Sequence, residues 1–141
     1  MISFFFVDHL HRENIFQLGP HTLPISVSVH KLNRDRLITK LRNDSLIKPN
    51  SVVLLMGGKT QHMYDTDIEP IFRQESYFHW TFGVREPDFY GTIDLVSGKS
   101  CLFVPKLDES YAVWMGRLHS LDDFRNRYEV EEVYYTEQVY I

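Results

Sequence analysis

The pattern of apolar and polar positions predicts a helix in the segment 31–43. Leu37 and Leu41 stand four residues apart, Ile38 and Leu41 stand three apart, and most of the other positions are Lys, Arg or Asp. This spacing places the three apolar side chains on one face of an α-helix. The segment therefore predicts an amphipathic helix that covers a core.

Two further helices are predicted between residues 108 and 128. Asp108 is a suitable N-cap, and it precedes apolar residues at the i, i+3, i+4 and i+7 positions of a helix, namely Tyr111, Trp114, Met115 and Leu118. Ser120 and Asp123 then show the spacing of a capping box. That box opens a short helix with one apolar side, formed by Leu121, Phe124 and Tyr128.

Strand patterns alternate with these helices. The apolar run 52–56 ends at Gly57-Gly58 and predicts a strand buried on both faces of a sheet. Residues 89–95 alternate in polarity, turn at 97–99 and return over 101–104, which is the pattern of a hairpin. Residues 130–135 predict a last strand, whereas prolines and a glycine predict an irregular lead-in over 1–24. The order of elements predicts one α/β domain with a mixed β-sheet flanked by helices.

The segment 72–90 is unusually aromatic, with seven of the chain's twenty aromatic residues in nineteen positions, where an even spread gives about three. We therefore expect it to form core or an interface. Its middle is ambiguous, since Phe78, Trp80 and Phe82 alternate as in a strand while Phe78 and Phe82 also fit one helical face.

Composition narrows the class of protein. The 141 residues are 43% apolar and 24% charged with a net charge of −4, which is typical of a globular domain. Lys and Arg are scattered, so no nucleic-acid footprint is predicted. No apolar run approaches the roughly 20 residues of a membrane span, and Asp8 follows the short apolar start too soon for a signal peptide. With Cys101 as the single cysteine, these features predict a cytoplasmic protein without disulfides.

Several residue combinations suggest chemistry but do not complete a site. Gly58-Lys59-Thr60 follows a strand as in a P-loop, but Val53 stands where that motif needs its first glycine. Asp65 and Asp67 have no further oxygen ligand nearby in the sequence. None of the seven histidines has zinc-ligand spacing, and Ser76 with His79 lacks a nucleophile elbow. We expect no catalytic residue and no metal ligand in this chain.

The sequence nevertheless resembles the prolidase (Xaa-Pro dipeptidase) family over roughly residues 15–138. The most specific block is Phe-Arg-Gln-Glu-Ser at 72–76. The other matching blocks are Leu-Asn-Arg at 32–34, Arg-Leu at 36–37, Tyr-Asp-Thr-Asp at 64–67, Phe-His-Trp at 78–80, Phe-Gly-Val at 82–84, Glu-Pro at 86–87, Tyr-Gly at 90–91, Ile-Asp at 93–94, Gly-Lys-Ser at 98–100, Leu-Phe-Val-Pro at 102–105 and Trp-Met-Gly at 114–116. Residues 1–14 match nothing comparable and form a lead-in of unknown role.

The resemblance implies that residues 15–141 are the amino-terminal, non-catalytic domain of the creatinase, aminopeptidase P and prolidase superfamily, with the segment around Phe78 helical. It implies a separate catalytic domain whose two metal ions, usually manganese, are held by two Asp, one His and two Glu beyond Ile141. In such enzymes the amino-terminal domain contributes to a homodimer and to closing the active site. By itself this chain should be inactive.

For Trp114 the resemblance implies a substrate-side role in the active site of the other subunit. The helical spacing that it shares with Tyr111 and Met115 equally predicts a plain core residue. Two other functions also remain open. One is a peptide-binding module, as the same fold serves in the large subunit of the FACT histone chaperone, and the other is a free-standing scaffold.

Overall fold

The computed structural model describes residues 14–138, and for Trp114 and Met115 it describes the backbone alone. Strands and helices alternate along this part of the chain. The strands are β1 (Ile15–Phe16), β2 (Ile25–Ser26), β3 (Val52–Met56), β4 (Tyr90–Asp94), β5 (Ser100–Val104) and β6 (Glu132–Tyr135). The helices are α1 (Ser28–Arg42), α2 (Ser76–Phe82), α3 (Ala112–Met115) and α4 (Leu121–Tyr128), with 3-10 turns at Glu109–Tyr111 and Thr136–Gln138.

Within residues 14–138, the central sheet has four strands in the order β3-β4-β5-β6. Its first two pairings are antiparallel, and β6 is parallel to β5. The parallel pair is joined by a crossover that contains α3 and α4, because parallel neighbours cannot be joined by a tight hairpin. The predicted mixed sheet, the 89–104 hairpin and the last strand are all confirmed.

The core lies between one face of this sheet and helices α1, α2 and α4. Alternate residues of each strand point to that face, and the aromatic side chains Phe78, Phe82 and Tyr128 are at most 1% exposed. The cluster also contains, from the helices and the sheet, Ile38, Ile93, Leu95, Leu102, Val104 and Val133. The aromatic segment therefore supplies the centre of the core.

Helix α2 resolves the ambiguity of the aromatic segment in favour of a helix. The carboxylate of Glu75 accepts hydrogen bonds from the backbone N–H groups of Tyr77 (3.1 Å) and Phe78 (2.7 Å), which satisfies donors that a helix start leaves free. Gly83 ends the helix with φ 72°, a left-handed conformation. With only seven residues between these two caps, Phe78 and Phe82 lie on one face, and their ring centroids are 5.2 Å apart.

Helix α4 begins at the predicted capping box. The Ser120 hydroxyl accepts from the Asp123 N–H (3.1 Å), and the Asp123 carboxylate accepts from the Ser120 N–H (2.8 Å). These hydrogen bonds lower the pKa of Asp123, the backbone bond contributing most. The box is confirmed.

Three expectations were wrong in detail. Among the strands of residues 14–138, β3 lies at the end of the sheet, and Val52, Leu54 and Met56 are 59%, 54% and 52% exposed instead of buried. The lead-in is not wholly irregular, because β1 and β2 form an antiparallel ribbon. The helix predicted through Leu118 ends at Gly116, which has φ 74°. The physical reason in the last case is the left-handed backbone, which a helix cannot include.

A buried arginine joins the first helix to the end of α4. The guanidinium of Arg34, in a residue only 2% exposed, donates to the backbone carbonyls of Thr81 (3.2 Å) and Glu129 (2.5 Å). It also lies 5.7 Å from the centroid of the Phe82 ring. Burial lowers the pKa of Arg34, and the carbonyl partners compensate for the lost hydration of its charge.

Candidate functional site

The segment 107–116 contains Trp114, for which the family resemblance implies a substrate-side role. Asp108 opens it, and its carboxylate accepts from the Ser110 N–H at 2.9 Å. A 3-10 turn and the four-residue helix α3 follow. Leu107, Tyr111 and Val113 are 41%, 50% and 81% exposed. The segment therefore presents apolar side chains to its surroundings.

Two residues of the predicted apolar stripe have described side chains, Tyr111 and Leu118. Tyr111 is half-exposed, and Leu118 lies beyond the end of α3. A plain core stripe through these positions is therefore wrong for Tyr111. The backbone of Trp114 lies within α3, but its side chain is outside the described part, so its role stays a prediction.

The Phe-Arg-Gln-Glu-Ser block has a structural task. The Gln74 side-chain oxygen accepts from the Gly58 N–H (2.5 Å) and the Glu75 N–H (2.9 Å), while its amide nitrogen donates to the Glu86 carbonyl (2.9 Å). Gln74 thus joins three segments of the chain, and the next residue caps α2. Phe72 packs on Gly58, where an added Cβ would lie 3.0 Å from its ring. The block therefore fixes the start of helix α2.

A polar network that the sequence reasoning missed lies between α4 and the turn after α2. The Glu86 carboxylate accepts from Arg127 Nη1 at 3.1 Å and from the Tyr128 hydroxyl. Arg127 also donates to His119 Nε2 at 3.0 Å. Burial, followed by the neighbouring Glu86 charge, raises the pKa of Tyr128. Since each carboxylate oxygen already has a donor, the network positions α4 and does not supply a free acid or base. The only sequence signal was the Glu86-Pro87 block.

The remaining candidate residues do not assemble into a reactive site. The Gly58 N–H is occupied by Gln74, and no helix follows until Ser76. Asp65 and Asp67 lie in an exposed turn, where alternate residues do not point the same way as they would in a strand. Ser76 begins α2, and both it and His79 are exposed. Cys101 is buried, which raises its pKa to about 12 and keeps the thiol protonated.

His30 is the most enclosed histidine of the described residues. Its Nδ1 lies 3.0 Å from the Trp80 carbonyl, which can only accept, so Nδ1 carries the proton. The rings of Phe16 and His79 meet it edge-on with centroids at 6.1 and 5.5 Å. Burial lowers the pKa of His30, and the nearby His79 and Arg34 lower it further. Burial therefore favours the neutral form of the imidazole.

Metal binding can be tested on the same residues. Within residues 14–138, no group of three or more His, Cys, Asp or Glu side chains is placed to hold a metal ion. This part of the chain therefore does not fit a two-metal centre. Among its helices, none combines the length and the apolarity needed to cross a bilayer.

Comparisons with known proteins agree with this geometry. The family model "Aminopeptidase P, N-terminal domain" matches residues 30–140, and the chain belongs to that family. The Xaa-Pro dipeptidases of Mus musculus and Homo sapiens are 48% and 46% identical to it over 124 residues, which is 88% of this chain. The chain spans about a quarter (25%) of the length of these relatives.

Solved structures show the same fold at lower identity. The chain is similar to Escherichia coli aminopeptidase P with a TM-score of 0.67 at 21% identity, covering 81% of this chain and 25% of that one. It is similar to Pseudomonas aeruginosa aminopeptidase PepP with a TM-score of 0.64 at 22% identity, covering 79% of this chain and 24% of that one. The mixed sheet with its helices is thus the amino-terminal fold of this family.

Proposed function

We propose that this chain is the amino-terminal, non-catalytic domain of a homodimeric Xaa-Pro dipeptidase. The observation that carries the proposal is 48% identity over 124 residues with a Xaa-Pro dipeptidase. Identity with the probable Xaa-Pro aminopeptidase of Pyricularia oryzae is 34% over 104 residues. The dipeptidase is therefore favoured over the aminopeptidase.

The roles that we propose for this domain follow from two observations. The described residues do not fit a metal pair, and they include exposed apolar side chains. Because they do not fit a metal pair, we assign the two manganese ions and the hydrolytic chemistry to a separate catalytic domain of the same polypeptide. We assign to this domain dimerisation and closure of the active site. The exposed side chains of Leu107, Tyr111 and Val113 support that assignment, since apolar side chains suit a surface that excludes water from a reaction. The single cysteine supports a cytoplasmic location.

A chimera tests the proposal. The 124 aligned residues of the mouse Xaa-Pro dipeptidase are replaced by the matching residues of this chain, and hydrolysis of Gly-Pro is measured with added manganese. We expect hydrolysis by the chimera and none by this chain alone. Two results would contradict the proposal: cleavage of Gly-Pro by the purified chain, or a folded chimera that is inactive beside an active mouse enzyme.

Trp114 is tested in the same chimera. We expect Trp114→Ala to lower kcat/KM for Gly-Pro by about 10- to 100-fold, the effect of losing one apolar contact at a binding site. The matched control is Trp80→Ala, because Trp80 is the other tryptophan and is 43% exposed on α2. A role in closure leaves the melting temperature of the isolated chain unchanged, whereas a core role lowers it strongly. Loss of stability without loss of kcat/KM would assign Trp114 to the core.

A further inference from the structure

Among the described residues, β3 is the last strand on one side of the central sheet, and its outer edge has no neighbouring strand. The Gly57 N–H bonds to the Phe89 carbonyl (2.9 Å) and the Leu95 N–H to the Ser51 carbonyl (3.1 Å). In an antiparallel pair such bonding residues alternate with residues whose backbone groups point away from the partner. Val52, Leu54 and Met56 therefore direct their N–H and C=O groups to the open edge.

This edge lacks the features by which proteins prevent pairing between sheets. Charged residues, prolines and bulges are the usual devices. Strand β3 contains only Val, Leu and Met, and its register with β4 runs through five consecutive pairs. Its outward side chains at 52, 54 and 56 are each more than half exposed. An open, regular and apolar edge of this kind favours addition of another strand.

An apolar surface extends from this edge across the outer face of the sheet. The strand registers place Met56 beside Tyr90, Tyr90 beside Phe103, and Phe103 beside Tyr134. The Phe103 and Tyr134 rings are stacked with centroids 6.3 Å apart. This row of four side chains crosses all four strands on the face opposite α1, α2 and α4.

We propose that β3 pairs with β3 of a second copy of this chain about a two-fold axis at Leu54, which joins the two sheets into one. The sequence is complementary to itself in this arrangement. Leu54 faces Leu54, Val52 faces Met56, and Ser51 faces Gly57. The nearest charged residues, Lys48 and Lys59, both lie outside the strand, so no charged side chain belongs to the paired segment. An antiparallel pair with no like charges opposed is the favourable case.

This pairing rests on the homodimer proposed above, and it specifies the surface through which the two copies meet. Leu54 belongs to the set that bonds across the new edge, so the two Leu54 Cα atoms lie about 5.5 Å apart. That separation is within the range of about 4.4–6.8 Å that a disulfide spans. Cys101, the only native cysteine, is buried and its thiol pKa is about 12, so it does not compete. A cysteine at position 54 should therefore cross-link to its own copy.

The test is oxidation of purified Leu54→Cys, with the covalent dimer followed on non-reducing gels. We expect cross-linking at least tenfold faster than for Leu32→Cys, the matched control, since Leu32 is 47% exposed on α1. Val52→Cys alone should stay at the control rate, because position 52 faces position 56. An equal mixture of Val52→Cys and Met56→Cys proteins should cross-link about half as fast as Leu54→Cys, because half of its dimers pair position 52 with position 56.

Equal rates for Leu54→Cys and Leu32→Cys would overturn the proposal, as would fast cross-linking of Val52→Cys alone. If Leu54→Cys does not fold, the 52 and 56 mixture gives the decision. Leu54→Lys adds an independent measurement, since a lysine at the edge should convert a sedimenting dimer to a monomer and Leu32→Lys should not. A chain that stays monomeric while the Gly-Pro chimera remains active would refute this interface and leave the proposed function intact.

Discussion

Replacing Phe78 by alanine tests whether the aromatic helix holds the domain together. The Phe78 ring is fully buried against Phe82, and it lies so close to Gly57 that an added Cβ there would be 3.0 Å from it. A phenylalanine buries roughly 150–250 Å², and about 25 cal/mol per Å² gives some 4–6 kcal/mol for the whole side chain. Alanine keeps part of that burial, so we expect a loss of about 3–5 kcal/mol in unfolding free energy.

The assay is urea denaturation followed by far-UV circular dichroism, with Tyr77→Ala as the control. Tyr77 is the adjacent residue of α2 and is 74% exposed, so its replacement should change stability by less than about 0.5 kcal/mol. For a chain of this size the loss at Phe78 corresponds to roughly 10–15 °C in melting temperature. A loss below about 1 kcal/mol with an unchanged m-value would refute the assignment of Phe78 to the core.

Two further predictions concern ions. Manganese added to the isolated chain should leave its melting temperature unchanged, because only binding to the native state raises it; a concentration-dependent increase would contradict this. The pKa of His30 is lowered in the folded state, so the unfolded state binds more protons from about pH 6.5 down to that lowered value. Stability should therefore fall as the pH falls through this window, and His30→Gln should have a flatter profile in a pH series of urea titrations. An unchanged slope would contradict the argument.

The elements that the sequence predicted well are those in which one local signal decides the structure. The box at Ser120 and Asp123 satisfies the donors of a helix start within four residues, so α4 could be located without knowledge of its neighbours. The hairpin over 89–104 is equally local, and its turn closes with the Gly98 N–H on the Asp94 carbonyl at 2.8 Å. In both cases the hydrogen-bond partners lie close together in the chain.

The features that were missed depend on distant partners. An apolar run such as 52–56 has the same pattern in a central strand and in an end strand. Only the strand order shows that β3 has one neighbour among the described strands. The β1–β2 ribbon pairs two residues with two across an eight-residue connection, which leaves no periodic signal. The core interpretation of Tyr111 and its neighbours assumed one continuous helix, which Gly116 interrupts.

The same distinction between local and distant partners applies to the residues of the candidate site. The lack of a ligand spacing was visible in the sequence, but the network around Glu86 was not, because its hydrogen bonds to Arg127 and Tyr128 span 41 and 42 residues. The Phe-Arg-Gln-Glu-Ser block was visible as a resemblance, while its physical task required the contacts of Gln74. The sequence alone thus identified this block as distinctive but did not show which contacts its residues make.

The Arg34 contacts have a consequence for synthesis of the chain on the ribosome. The guanidinium needs the carbonyl of Thr81, 47 residues later, and that of Glu129, 95 residues later. Until residue 129 has left the exit tunnel, Arg34 cannot be buried with both acceptors, and a buried charge without its partners is strongly unfavourable. Helix α1 therefore cannot dock completely early in translation. The nascent domain should complete its folding late, after residue 129 has emerged.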